Sequence, residues 1–254
     1  MPAVQDPFRP GWQVLVDTAG RRVGSFVRAE RDGRPSAELF ELETPVEDAV
    51  PIVLAELPGW RVVAGEELGR ALVDAGGRLF RHSYVLTRDL VAHPASHAGP
   101  PPPGLELRAA DRPAADLVGA YRAAFPPEHP DGAARVDEDP LEEMRRIVEL
   151  RVVGPVLDCS GLAVDRQGIV RAAVIITDSG GTPPFGGPWV AECFRDPDPA
   201  YKGAGRALLE RMLVDATAAG LPAIGLAVTH GNPAHELYLD LGFSLVFSAY
   251  SVDL

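Results

Sequence analysis

Two stretches of the chain gather residue types with chemical use. In the first, a strand at 189–194 carries Glu192, Cys193 and Phe194, runs through Arg195 into a Pro- and Asp-containing turn, and reaches Lys202, Gly203, Ala204, Gly205 and Arg206, where a helix begins. Amides at a helix start point outward and the helix dipole is positive there, so the place suits a phosphate or pyrophosphate. Glycines let the ligand approach the backbone closely. Lys202 and Arg206 bracket the turn, and of the 24 basic residues Lys202 alone is a lysine. A Gly-x-Gly also serves as a tight helix–strand packing turn, so the motif leaves both uses open. Neither Gly-x-x-x-x-Gly-Lys-Ser/Thr nor a complete Gly-x-Gly-x-x-Gly is present, which excludes the two standard phosphate loops.

The second stretch is 231–243, where Asn232 caps a helix with Pro233 at its first position, Tyr238 stands nearly two turns in, and Gly242 follows the helix end. A tyrosine so placed either packs and finds one hydrogen-bond partner or delivers a proton. His230 ends the preceding strand and is either a substrate contact and second base or a solvated loop residue. Cys193 invites a covalent-nucleophile reading, but no histidine lies near it in sequence as an evident base.

The elements that must position these groups follow from periodicity. After 104, a short strand at 105–108 precedes helices at 113–125 and 141–152 around a Pro- and Asp-rich loop, then a hairpin at 161–178. The strand at 189–194, an amphipathic helix at 205–219 with Leu208, Leu209, Met212 and Leu213 on one face, a strand at 223–228, a helix at 233–241 and a last strand at 243–252 complete the order. This is a mixed α/β layer around one sheet. The N-terminal part reads as strands at 12–16, 22–28 and 37–43, a helix at 46–57, a strand at 60–64, a helix at 66–75 and a strand at 79–87. Between the parts, 93–104 ends in four prolines and a glycine, a stiff spacer. The expected organisation is therefore 1–92, a linker at 93–104, and 105–254.

Composition removes several classes of function. With 254 residues, 46% hydrophobic and 24% charged, the chain is an ordinary globular one. A net charge of −12 and no basic run argue against nucleic acid. No apolar run reaches the roughly 20 residues needed to span a bilayer. Two cysteines and no signal-peptide pattern lead us to expect a reducing cytoplasm. Nothing in the sequence suggests a metal.

The two parts also end alike. A shift of 166 positions lays Asp74 on Asp240, Gly76 on Gly242, Leu79 on Leu245 and Tyr84 on Tyr250. This reads as a tandem repeat whose first copy is partial, having lost its front strands and helices. Coincidence between two short helix-Gly-strand segments is the competing explanation.

Taken in this order and at this separation, the two stretches resemble the GNAT superfamily of acyl-CoA-dependent N-acyltransferases, over about 105–254. The resemblance implies the GNAT acyltransferase fold, with a full C-terminal copy and a partial N-terminal one, and acetyl-CoA as cosubstrate. It implies that Lys202, Gly203, Ala204, Gly205 and Arg206 hold the pyrophosphate and that Phe194 and Arg195 mark a strand end splayed to admit the pantetheine arm. Asn232 matches the family's asparagine and Tyr238 its acid, while Glu192 is the natural base for an acceptor amine. The pattern departs from the family at Ala200, where Arg or Gln is usual, and at Tyr201, where a glycine is usual. The implied reaction is direct acetyl transfer to a primary amine of a small molecule, by a monomer or homodimer. A catalytically silent acyl-CoA-binding sensor is the alternative. The acidic loop with Glu128, Asp131, Asp137, Glu138 and Asp139 would cover the acceptor side, where it either suits a cationic amine or is simply solvated. The N-terminal copy has Leu72 where Tyr238 falls and Glu66 where Asn232 falls, and is expected to be non-catalytic.

Overall fold

The computed structural model describes residues 3–31, 33–132, 139–150, 152–184 and 186–254. The chain forms two compact units, one of Met1–Tyr84 with Phe247–Leu254 and one of Val85–Val246.

The first unit runs β1 (Ala3–Gln5), β2 (Trp12–Val16), β3 (Arg22–Arg31), β4 (Arg34–Leu42), α1 (Val46–Glu56), β5 (Arg61–Gly65), α2 (Glu66–Asp74) and the leading part of β6 (Arg78–Asp89). The end of the last strand, β12 (Ser244–Asp253), joins it, and the strand order is β1-β2-β3-β4-β5-β12-β6. β4 and β5 are parallel and pair at Ser36↔Arg61, Ala37↔Val62 and Phe40↔Ala64, across an irregularity where Leu39 takes φ 55°. β12 lies antiparallel to β5 from Ala249↔Gly65 to Asp253↔Arg61. Leu15, Phe26, Val62, Leu68 and Leu72 form the core, with Tyr250 and Val252 from β12 inside it. Burying each large apolar side chain contributes about 1.5–3 kcal/mol. The carboxylate of Asp253 accepts from Arg61 Nε at 2.8 Å, lies 3.0 Å from Arg34 Nη1 and pairs with Arg78.

The second unit holds β7 (Leu105–Ala109), α3 (Ala114–Ala124), α4 (Pro140–Val148), β8 (Gly161–Asp165), β9 (Val170–Asp178), β10 (Pro188–Arg195), α5 (Ala204–Ala218), β11 (Ala223–Thr229) and α6 (Ala234–Asp240). Its strand order from the end of β6 is β6-β11-β10-β9-β8-β7. The two sheet faces can be told apart on β8. Leu162 packs with Leu117, Met144 and Ile147 of α3 and α4, whereas a Cβ on the neighbouring Gly161 would lie 3.2 Å from Leu208 of α5. Successive strand residues face opposite ways, so α3 and α4 cover one face and α5 the other. Residues 93–104 have neither helix nor strand and are tied to α5: Ala95 N donates to Thr217 Oγ1 and Gly99 N to the Glu210 carboxylate.

Of the front elements expected to be lost from the first copy, the helices are absent but the strands are kept. The first unit keeps four strands ahead of α1, β1 among them, and lacks counterparts of α3 and α4. The helix expected to reach 152 ends at Val148; Leu150 N turns back to Arg145 O at 2.8 Å.

Candidate functional site

The site residues lie in the second unit, where β10 and β11 part. The parallel strands share the pair Trp189↔Gly225, and among the described residues no further pair joins them. On its other edge β10 stays paired with β9 from Pro188↔Asp178 to Arg195↔Ala172, with a bulge between Val190 and Glu192. A bulge bends a strand and increases its twist, which carries the far end of β10 away from β11. The divergence opens an inner strand: Ala227, in the middle of β11, is exposed.

The turn after β10 leads to the start of α5 through a single 3-10 turn, Pro199–Tyr201. Gly203 stands at the helix N-cap with φ +95°, a left-handed conformation that a side chain would strain. No side chain caps this helix, and its first turn carries no acidic residue. The leading amides are thus offered outward, in a field that favours an anion. Ala204 is buried, and Gly205 has open space where a Cβ would stand. Arg195 latches the turn by donating to the carbonyls of Asp196 and Asp198. Arg171 braces it from β9, bonded to Asp165 and Asp196 and lying over the ring of Tyr201. Lys202 is exposed, and among the described residues it makes no ion pair. Arg206 differs from the expectation of a basic pair, because its guanidinium is already 2.9 Å from Asp240 and 3.9 Å from Glu210. Phe194 faces inward, with its ring 5.5 Å from that of Tyr121. Its side chain is core, and only its backbone is available to a ligand.

At the point of divergence, the buried Tyr238 side chain is hydrogen-bonded to Cys193, and the neighbouring residue on β10, Glu192, is buried as well. Burial raises the Tyr238 phenol well above its ordinary value. The Cys193 thiol beside it and the charges of Glu192 and Asp131 push the same way. Burial also pushes the Cys193 thiol up to about 11, against the lowering effect of its hydrogen bond with Tyr238. Cys193 is therefore a thiol, not a thiolate, at neutral pH, which removes support from a nucleophilic role. Tyr238 sits one helical turn into α6, whose start Asn232 fixes: its Oδ1 accepts from Ala234 N at 2.8 Å. His230 is exposed at the end of the strand.

The acidic loop divides. Glu128 is exposed, Asp139 caps α4 by accepting from Leu141 N at 3.0 Å, and Asp137 and Glu138 lie outside the described residues. Asp131 is not a solvated surface charge: it is 8% exposed and accepts from Thr229 Oγ1 and, at 3.0 Å, from Asn232 Nδ2. Its amide donates to His129 Nδ1, and His129 stacks edge-on against Phe125, Phe125 against Tyr121, and Tyr121 against Phe194. Thr229 and His129 were not singled out by spacing: the partner of Thr229 is 98 positions away, and the contacts of His129 are local but lie in an irregular loop with no periodicity. The signals available were the tight Pro-Asp-Gly turn at 130–132 and a hydroxyl residue closing an otherwise apolar strand.

Among the described residues, no group of three or more His, Cys, Asp or Glu is placed to hold a metal ion, and no helix is long and apolar enough to cross a membrane.

No protein-family model matches the chain, and no curated protein matches it. Solved structures do. A GCN5-related N-acetyltransferase from Sphaerobacter thermophilus superposes with a TM-score of 0.58 at 16% identity, covering 95% of this chain and 79% of that one. A conserved protein of unknown function from Staphylococcus epidermidis gives 0.55 at 10% identity over 89% and 93% of the two chains. A tandem GNAT protein from the clavulanic acid biosynthesis pathway gives 0.53 at 15% identity over 96% and 82%. The chain has the fold of the GCN5-related N-acetyltransferases, with the strand–helix plan present twice.

Proposed function

We propose that the protein is an N-acyltransferase that moves an acetyl group from acetyl-CoA to a primary amine, most simply that of a small molecule. The observation that carries this reading is the opening between β10 and β11, with the uncapped, glycine-led start of α5 at its end and buried Glu192 and Tyr238 at its apex. Pyrophosphate would lie on the amides of Gly203 to Arg206, with Lys202 as the available cation, and the pantetheine arm along the unpaired edge of β10.

An amine with pKa near 10 is mostly protonated at pH 7, so Glu192 would take a proton before or during attack. The nitrogen lone pair then forms a bond to the thioester carbonyl carbon, an unpaired β10 amide steadies the oxyanion, and the C–S bond breaks. Tyr238 donates a hydrogen bond to the departing sulfur. Its raised pKa makes it a certain donor at neutral pH but a weaker acid than a thiol of pKa about 8.5, so it stabilises the thiolate more than it protonates it. The products are the amide and coenzyme A thiol: of the two protons the ammonium nitrogen loses, one ends on the sulfur and the other passes through Glu192 to solvent.

The test is thiol release from acetyl-CoA against a panel of polyamines, amino acids, aminoglycosides and peptide N-termini. Turnover with one acceptor class supports the proposal. The engagement of Arg206 with Asp240 and the loss of Arg or Gln at Ala200 favour a second reading, a silent acyl-CoA sensor. Tight binding of acetyl-CoA without turnover across the panel would select it.

A further inference from the structure

The geometry points to Asp131 as a positioning residue for the reacting centre, a clamp that closes the loop after α3 onto the end of β11 and the start of α6. The inference rests on the acyl-transfer reading for its kinetic consequence, though not for its structural one. Three features lead to it. The carboxylate is buried and spans two elements, taking Thr229 Oγ1–H on one oxygen and Asn232 Nδ2–H on the other. Asn232 in turn holds the first amide of α6 through Ala234, so the clamp reaches the helix that carries Tyr238. On the loop side the turn has no slack: a Cβ on Gly132 would stand 2.0 Å from Pro126 O, His129 N bonds to Pro126 O and Gly132 N to His129 O, both at 2.8 Å.

His129 is anchored by the aromatic series Phe125, Tyr121 and Phe194, the last being part of β10. Asp131 thus joins the strand that carries Glu192 to the helix that carries Tyr238 by a path of direct contacts. A charged acceptor makes shorter and stronger hydrogen bonds than a neutral one, and a carboxylate can receive two donors at once where an amide oxygen must share. Displacing a reacting group by 1 Å costs about a hundredfold in rate. Asp131 touches neither substrate nor the reacting atoms in this account; it acts through Asn232 and Tyr238.

The experiment compares wild type, Asp131→Asn and Thr229→Val. Asp131→Asn keeps the shape but replaces the charged acceptor with a neutral amide, whose oxygen can face Asn232 Nδ2 while its NH2 turns to Thr229 Oγ1, so both bonds are weakened rather than lost. We expect kcat to fall about tenfold to a hundredfold while the KM for acetyl-CoA changes less than about twofold, because the pyrophosphate cradle is untouched. Thr229→Val should give a smaller loss of the same kind, and the double variant should be no worse than Asp131→Asn alone. Equal kcat in the three proteins, or a loss shared equally by kcat and acetyl-CoA affinity, overturns the proposal. A second measurement does not depend on turnover: the ring carbon resonance of Tyr238 in protein labelled with ¹³C-tyrosine, assigned with Tyr238→Phe. It should move in Asp131→Asn relative to wild type with acetyl-CoA present. A moved resonance in a wild type that releases no thiol with any amine would uphold the clamp and reject the acyl-transfer reading. An unmoved resonance rejects the clamp.

Discussion

At the residue scale the chemistry turns on a phenol that cannot ionise near neutrality. Burial, then Cys193, Glu192 and Asp131, all oppose a phenolate at Tyr238. In the proposed reaction, Tyr238→Phe removes one hydrogen bond to the leaving sulfur and little volume. We expect kcat to drop about a hundredfold with the acetyl-CoA KM within twofold of wild type, as measured by steady-state thiol release. Cys193→Ala, by contrast, should cost at most a few-fold in kcat, because a thiol with a pKa of about 11 supplies no nucleophile at pH 7. A loss near that of Tyr238→Phe, accompanied by a trapped acyl-enzyme, would restore the covalent reading. Glu192 and Tyr238 were singled out as candidates in the sequence because each belongs to a short local pattern. Asp131 was legible only as one charge among several, since its hydrogen bond to Thr229 joins residues 98 positions apart and no local spacing records it.

At the scale of elements, the same plan appears twice with a different geometry between the parallel strands. In the first unit β4 and β5 stay paired at three positions, and α1 opens with Pro45 and two acids, Glu47 and Asp48, in its first turn. In the second unit β10 and β11 part after one pair, and the first turn of α5 is free of acids. A closed ladder leaves no slot for pantetheine, and acids at a helix start repel phosphate. Gly203→Ala places a side chain at φ +95°, where the neighbouring Pro102 at 3.5 Å is an ordinary contact and the strain is conformational. A penalty of about 1.4 kcal/mol on the bound turn would raise the acetyl-CoA Kd about tenfold, readable by calorimetry, with kcat at saturation little changed. Most strands and helices followed from alternation and helical spacing. The exceptions have physical causes: β1 is three residues of marginal pattern, and α4 stops early because its last turn bends toward Arg145 and Arg146. The divergence of β10 from β11 was expected only through the family resemblance, because pairing between parallel strands leaves no mark on either strand's own periodicity.

At the scale of the whole molecule, the proposed function and the contrast between the copies together predict a stoichiometry. Calorimetric titration of the full chain should give one acetyl-CoA per chain, and two would contradict the closed β4–β5 ladder. Asp253 provides a stability test within the first unit. Burial raises its carboxyl, but the bond from Arg61 and the charges of Arg61, Arg34 and Arg78 outweigh that and leave its pKa lowered. A lowered folded pKa contributes stability that is present above the unfolded value of about 3.9 and is lost as pH falls through the folded one. Asp253→Ala removes the buried carboxylate that Arg61, Arg34 and Arg78 share and should cost about 3–5 kcal/mol at pH 7, seen in denaturant unfolding monitored at Trp60. The difference from wild type should shrink below about pH 4.

The placing of residues 247–254 in the first unit bears on how the protein is made. The ribosome delivers β1 to β5 well before the strand that lies along β5, whose carboxylate, gathering three arginines, follows Arg61 by 192 positions. Until it emerges, β5 presents a bare row of amides and carbonyls, and Arg61 has no Asp253 to face. The first unit therefore cannot finish folding until the second has been synthesised, the reverse of the usual N-terminal-first order.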